Sequence, residues 1–80
     1  MLKLRQVGSN MTEVEIGRAT VLFSYEAPVA CHIQGQGYFR TSKKWSVTTS
    51  KHIGKWLSTM RPVDAVQERE QSFFDDLVAA

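Results

Sequence analysis

The chain has 80 residues, of which 42% are hydrophobic and 22% are charged, as is typical of a single soluble globular domain. A domain of this size buries only about 60–65% of its unfolded surface, which leaves little volume for a deep pocket or a cofactor cradle. The net charge is +2, and one cysteine excludes an internal disulfide, so a reducing cytoplasm is expected. The chain shows neither an apolar run long enough to span a membrane nor a signal-peptide core. We therefore expect no membrane association.

Alternating apolar residues in the first half of the chain predict antiparallel strands joined by tight turns. The predicted strands cover residues 12–16, 19–25, 29–34, 38–41 and, for one short strand, 45–47. Gly17 ends the first strand, and the glycines of residues 35–37 permit the positive φ that hairpin turns require. The faces expected to cover the core carry Val21, Phe23 and Tyr25 on one strand and Val29, Cys31 and Ile33 on the next.

The apolar spacing changes to that of a helix after residue 48. The apolar stripe of this helix consists of Ile53, Trp56, Leu57 and Met60. Thr49 or Ser50 is the predicted N-cap, Pro62 is predicted to end the helix, and Gly54 suggests a close approach to the sheet. A second, acidic helix is predicted over residues 64–78, with Asp64 as its cap.

These elements predict an α+β fold: a small antiparallel β-meander with a helix packed on one face, followed by a second acidic C-terminal helix. Residues 1–61 are expected to form the β-rich domain. Residues 62–80 are expected to form a helical tail that packs on this domain or in an oligomer interface.

Charge is distributed unevenly along the chain. Residues 40–61 contain six basic side chains and no acid, whereas residues 62–80 contain five acids and one base. This asymmetry predicts an anionic partner for the basic segment. The alternative is that the acidic segment folds back on the basic one, which requires no partner.

The basic segment contains the residue types that form a phosphate-binding surface. The candidate contact residues are Arg40, Lys43, Lys44, Thr49, Ser50, Lys51, His52 and Lys55. Basic side chains neutralise phosphates, and hydroxyls with free backbone N–H groups at a helix start favour a bound phosphate. Tyr38, Phe39 and Trp45 are interleaved with these bases, as in proteins that stack single-stranded nucleic acid. The alternatives are a solvated lysine face and aromatic residues that belong to the core.

No pattern of catalytic or metal-binding residues occurs in the sequence. A glycine–serine elbow, a phosphate loop and an HExxH motif are all missing, and Gly35-x-Gly37 lacks the third glycine of a dinucleotide site. Cys31 and His32 are adjacent, so on a strand they point to opposite faces and cannot chelate one metal. We therefore expect a buried Cys31, structural or surface histidines, and no enzyme activity, cofactor or metal.

Three segments of the sequence resemble a known family. Residues 20–30 read TVLFSYEAPVA, residues 37–41 read GYFRT, and residues 48–57 read TTSKHIGKWL. They resemble small proteins of unknown function encoded by tailed phages and bacterial mobile elements, with Ala27 where the family pattern has threonine. The resemblance ends before Met60. It implies a phage or mobile-element origin and the cytoplasm of a bacterial host, and it transfers no catalytic residue.

Two hypotheses of function follow. The first is a non-enzymatic accessory protein whose basic segment binds nucleic acid or a nucleoprotein. The second is an inhibitor or adaptor that binds a host bacterial protein through the acidic helix, with contacts from Phe73, Phe74, Asp75 and Asp76. Homodimerisation through the same helix is a structural variant of the second hypothesis, because a small chain gains buried surface in that way.

Overall fold

The computed structural model describes residues 3–60 and 65–79 and confirms the α+β class. Its elements are β1 (Lys3–Gly8), β2 (Met11–Ile16), β3 (Ala19–Ser24), β4 (Ala27–Ile33), β5 (Gly37–Thr41), α1 (Val47–Met60), β6 (Gln67–Arg69) and α2 (Gln71–Ala79). The six strands form one sheet in chain order. Strands β1 to β5 make an antiparallel meander, whereas β6 runs parallel to β5. No helix in the described part of the chain is long and apolar enough to cross a membrane.

The turns of the meander depend on residues with positive φ. Gly17, Gly35 and Gly37 have φ values of 58°, 83° and 108°, so the predicted glycine turns are confirmed. Tyr25 has a φ of 58° and lies in the turn after β3, with 53% of its surface exposed. The prediction that Tyr25 continues the core face of this strand was therefore wrong.

Both faces of the sheet are buried, each by one helix. On the first face, α1 contributes Ile53 and Trp56 to a cluster that includes Leu22 and Ala30. On the second face, α2 contributes Phe74 to a cluster with its own set of strand residues, namely Ala19, Val21, Cys31 and Phe39. Neighbouring residues of β3 and β4 therefore enter different cores, as the strand period of two requires.

A β-bulge changes which face one predicted core residue occupies. Leu22 pairs with Ala30, but the next residue, Phe23, pairs with Pro28, so the register shifts around Val29. Val29 consequently belongs to the α1 cluster. The prediction that it shares a face with Cys31 and Ile33 was wrong, because alternation fails where a bulge inserts a residue.

Helix α1 confirms the predicted apolar stripe but begins earlier than predicted. Ile53 and Trp56 are buried, and Leu57 and Met60 pack partly buried against the same cluster. Ser46 rather than Thr49 or Ser50 is the N-cap, since its Oγ accepts the backbone N–H of Thr49 at 3.1 Å. The strand predicted over residues 45–47 is therefore replaced by the start of α1. The predicted stop at Pro62 lies outside the described residues.

The tail after α1 differs from the predicted long helix. Residues 67–69 form β6, and α2 begins only at Gln71, while the predicted cap Asp64 lies outside the described residues. This strand extends the sheet of residues 3–41, and α2 covers its second face. Gly54 is exposed with no atom within 4 Å of an added Cβ, so it makes no close approach to the sheet.

Candidate anion-binding cleft

A cleft of about 460 Å³ opens between the end of β5, the loop over residues 42–46 and the start of α1. The side chains that bear on its chemistry are Arg40, Lys43, Lys44, Trp45, Ser50 and Glu68. Three of them are basic and one is acidic. The cleft therefore gathers the first part of the predicted basic segment into one concave surface.

Arg40 lies at the inner end of this cleft, on β5 between its register partners Ala30 on β4 and Glu68 on β6. Its Nε is buried and has no hydrogen-bond partner among the described residues. Buried donors are nearly always paired in folded proteins, and a bound water or ion is one of the partners that an unpaired donor can have. The guanidinium is also planar and suited to bidentate contact with a carboxylate or a phosphate.

The loop over residues 42–46, called the basic loop here, is held at several points. The Ser42 N–H donates to the Arg69 carbonyl at 2.9 Å, and the Lys43 N–H donates to Thr41 Oγ1 at 3.1 Å. The Trp45 indole N–H donates to Gln71 Oε1 at 3.1 Å. The loop is thus positioned by β5, β6 and α2, although its side chains are exposed.

Thr49 does not present its hydroxyl to the cleft. Its side chain is 5% exposed, and its Oγ1 lies 3.1 Å from Ser24 Oγ and 3.3 Å from Ser46 Oγ. Ser24 Oγ in turn lies 2.8 Å from His52 Nδ1. These four side chains form a continuous polar chain that joins the N-cap of α1 to the end of β3.

The donors in this chain can run in one continuous direction from Ser46 to His52. Ser46 donates to Thr49, and if Thr49 then donates to Ser24, the Ser24 hydroxyl is free to donate to His52 Nδ1. In the neutral imidazole this arrangement assigns the ring proton to Nε2. His52 is half-buried, with its ring centroid 5.8 Å from that of Tyr25. His52, a predicted contact residue of the basic segment, does not line the cleft.

The predicted basic residues do not share one surface. At about 100° per residue, Lys51 and Lys55 lie roughly 200° and 240° around the helix from the buried Thr49. Both lysines are exposed, and neither lines the cleft. The structure therefore brings together Arg40, Lys43, Lys44 and Ser50, and it separates Lys51 and Lys55 from them.

The predicted protein-binding surface on the tail is rearranged as well. Phe74 is fully buried, and Phe73 is half-buried with its ring centroid 5.4 Å from that of Phe39. Both rings pack in the α2 core, so Phe74 presents no surface to a partner and Phe73 presents only part of its ring. Asp75 and Asp76 remain exposed.

Sequence reasoning missed Gln71, which links the basic loop to the tail. Its Oε1 accepts from Thr41 Oγ1 at 2.8 Å as well as from Trp45, and its Nε2 donates to the Pro28 carbonyl at 2.7 Å. It also missed Glu68, which lines the cleft. A single glutamine forms no pattern that could have predicted the role of Gln71. For Glu68 there was a signal: it belongs to the acidic segment, which could be expected to fold back on the basic one.

Comparison with known proteins places the chain in a family. Neither the curated proteins nor the solved structures include a significant match. A family profile does match residues 2–76. The match continues past Met60, so the expectation that the tail lies outside the family was wrong. The chain therefore belongs to DUF8033, a family of unknown function.

Proposed function

We propose that this protein is a non-enzymatic binding protein whose cleft beside the start of α1 binds the phosphates of a nucleic acid or nucleoprotein. The observation that carries the proposal is the gathering of Arg40, Lys43 and Lys44 in one cleft, where the buried Nε of Arg40 has no partner among the described residues. Backbone phosphates are the anions that such clusters of arginine and lysine neutralise in nucleic-acid complexes.

The start of α1 adds to the attraction for an anion. The first N–H groups of a helix carry partial positive charge, and α1 is 14 residues long with no acidic residue in its first turn. The exposed Ser50 lines the same cleft and supplies a hydroxyl donor. Glu68 opposes this attraction, since its carboxylate lines the same cleft.

The test is fluorescence anisotropy of labelled DNA and RNA oligonucleotides at two salt concentrations. Three phosphate contacts on a single strand give a log–log salt slope of about −2.1. Affinity should then fall roughly twentyfold between about 50 and 200 mM salt. The absence of binding at the lower salt concentration would contradict the proposal.

Two double variants distinguish the effect of the cleft residues on binding from the effect of the protein's net charge. Lys43→Glu with Lys44→Glu changes two residues of the cleft, whereas Lys51→Glu with Lys55→Glu changes the outer face of α1 by the same net charge. We expect the first pair to abolish binding and the second to weaken it only slightly. Equal losses would show that net charge, and not the cleft, governs the interaction.

Substitution of Glu68 tests the sign of the ligand charge. Glu68→Gln removes the carboxylate from the cleft and should tighten the binding of an oligonucleotide several-fold. Glu70→Gln is the matched control, because Glu70 is exposed and does not line the cleft. Weaker binding by the Glu68 variant would indicate a cationic ligand.

The setting of this activity is part of the proposal. The resemblance of residues 20–57 to proteins of tailed phages and mobile elements supports a role in the cytoplasm of a bacterial host. A small binding protein in that setting acts by occupying a nucleic acid or nucleoprotein. The alternative, a host protein bound through the tail, now depends on Asp75, Asp76 and the exposed part of Phe73, because Phe74 is buried.

A further inference from the structure

We infer that the cleft takes a single-stranded nucleic acid, with an unpaired base stacked on Trp45 while an adjoining phosphate contacts Arg40. This inference rests on the proposed function and adds to it the strandedness of the ligand. Its basis is that one cleft contains both an exposed indole and the basic side chains.

Trp45 is exposed although the domain has few aromatic residues for its core. It is 43% exposed and lines the cleft, whereas the other tryptophan, Trp56, is only 2% exposed. Two residues after Trp45, Val47 is 73% exposed and lines the same cleft. An apolar platform in a basic cleft is the combination that single-strand-binding proteins use.

The indole ring is fixed before any ligand binds. Its N–H donates to Gln71 Oε1, and the Lys43 Nζ lies 4.1 Å from the ring centroid over one face. The polar edge is therefore satisfied within the protein, and 43% of the residue's surface stays exposed. Lys43 at the ring is also close enough to neutralise a phosphate attached to a stacked base.

The dimensions and chemistry of the cleft favour a nucleotide over a bare anion. Its volume of about 460 Å³ lies within the range of sites that hold small organic ligands. Arg40 and Ser50 supply donors for a phosphate, and Trp45 supplies a surface for a base. A duplex keeps the faces of its bases within the stack, so only unpaired bases can reach the indole.

The experiment compares two labelled probes of equal length and charge: a short thymidine oligomer and the same backbone with abasic sites. We expect the protein to bind the thymidine oligomer about tenfold more tightly. Trp45→Leu should remove this difference, so that the variant binds the two probes with equal affinity. Tyr25→Leu is the matched control, because Tyr25 is also an exposed aromatic residue but does not line the cleft.

A second variant separates stacking from the hydrogen bond to Gln71. Trp45→Phe keeps an aromatic surface and loses the indole N–H, so it should retain most of the preference for the thymidine oligomer. If it behaves like Trp45→Leu, the hydrogen bond is responsible and stacking is overturned. Equal affinity of the wild-type protein for both probes also overturns stacking, while phosphate binding stands. Failure to bind either probe overturns the proposed function itself.

Discussion

The two helices pack on the sheet in different ways. Helix α2, with nine residues, packs on the second face mainly through aromatic and aliphatic side chains. Helix α1, with 14 residues, brings polar groups into its interface with the first face. Phe74 is the centre of the α2 face, and it is fully buried. The α1 face contains Ser24, Thr49 and His52 in one hydrogen-bonded chain. Its Trp56 also donates to Glu13 Oε2 at 3.1 Å.

This difference indicates that the α2 face mainly stabilises the fold, whereas the α1 face mainly positions the candidate cleft. Burial of the apolar side chains on the α2 face is non-directional in its energetics, and the hydrogen bonds of that face come from Gln71 at the start of α2, which pairs with Thr41 and Pro28. Polar groups inside an interface require defined partners and therefore fix geometry. The cleft lies at the end of the polar α1 face, where Ser46 starts the helix and closes the basic loop.

The largest expected effect comes from removing the centre of the α2 face. Phe74→Ala leaves a cavity against Val21, Cys31 and Phe39, so we expect a loss of about 3–5 kcal/mol in the free energy of unfolding. Urea denaturation measures this loss. Phe73→Ala, at a half-buried neighbour, should cost clearly less. Equal losses in the two variants would mean that Phe74 contributes no more to the stability of the α2 core than Phe73 does.

The pH dependence of the free energy of unfolding tests whether water is excluded from the Cys31 thiol in the α2 core. Burial raises the pKa of the Cys31 thiol from 9.0 to about 12. The unfolded chain releases this proton first, so the stabilisation is complete below pH 9 and is lost as the pH rises towards 12. The slope of that loss is about 1.4 kcal/mol per pH unit.

The Cys31→Ala variant isolates this contribution from the other groups that titrate in alkali. Its free energy of unfolding should fall less steeply than that of the wild type between pH 9 and 12. Urea denaturation at a series of pH values measures both slopes. Parallel curves would show that the thiol is accessible to solvent in the folded protein.

A smaller effect is expected from the polar chain on the α1 face. Ser24 is 2% exposed, and Ser24→Ala leaves Thr49 Oγ1 and His52 Nδ1 without this partner. We expect a loss of about 1–3 kcal/mol, compared with almost none for Ser58→Ala on the exposed side of α1. Long-range ¹H–¹⁵N NMR should show the Nε2–H tautomer of the neutral His52 ring in the wild type. The Nδ1–H tautomer would contradict the assigned direction of the chain.

The sequence predicted the elements that have a clear hydrophobic period. Strands β2 to β5 and the apolar stripe of α1 follow from alternation and from helical spacing. Strand β1 was missed because Leu4 and Val7 do not alternate, and β6 was missed because all three of its residues are exposed. The three residues of β6 form a strand only because β5 offers an edge with which they pair, and no local pattern reports that edge.

The candidate site was predicted only in part, for a related reason. Charge along the chain drew attention to Arg40 and the basic loop, which the structure brings into one cleft, because the sequence records charge directly. It could not show that Thr49 and His52 turn towards Ser24, since their orientation depends on how α1 packs on β3. The change of face at Val29 was equally hidden, because a bulge is set by the pairing of two strands.

The smallest expected effect is a gain in stability on the outer side of α1. Gly54 is exposed, lies in the interior of the helix, and leaves open space for a Cβ. Gly54→Ala should therefore stabilise the protein by about 0.5–1 kcal/mol, since alanine loses less backbone entropy in a helix. Gly17→Ala is the matched control: it also has open space, but its φ of 58° is unfavourable for alanine. We expect Gly17→Ala to destabilise the protein in the same denaturation assay. A decrease in stability for Gly54→Ala would mean that this side of α1 is covered by other residues.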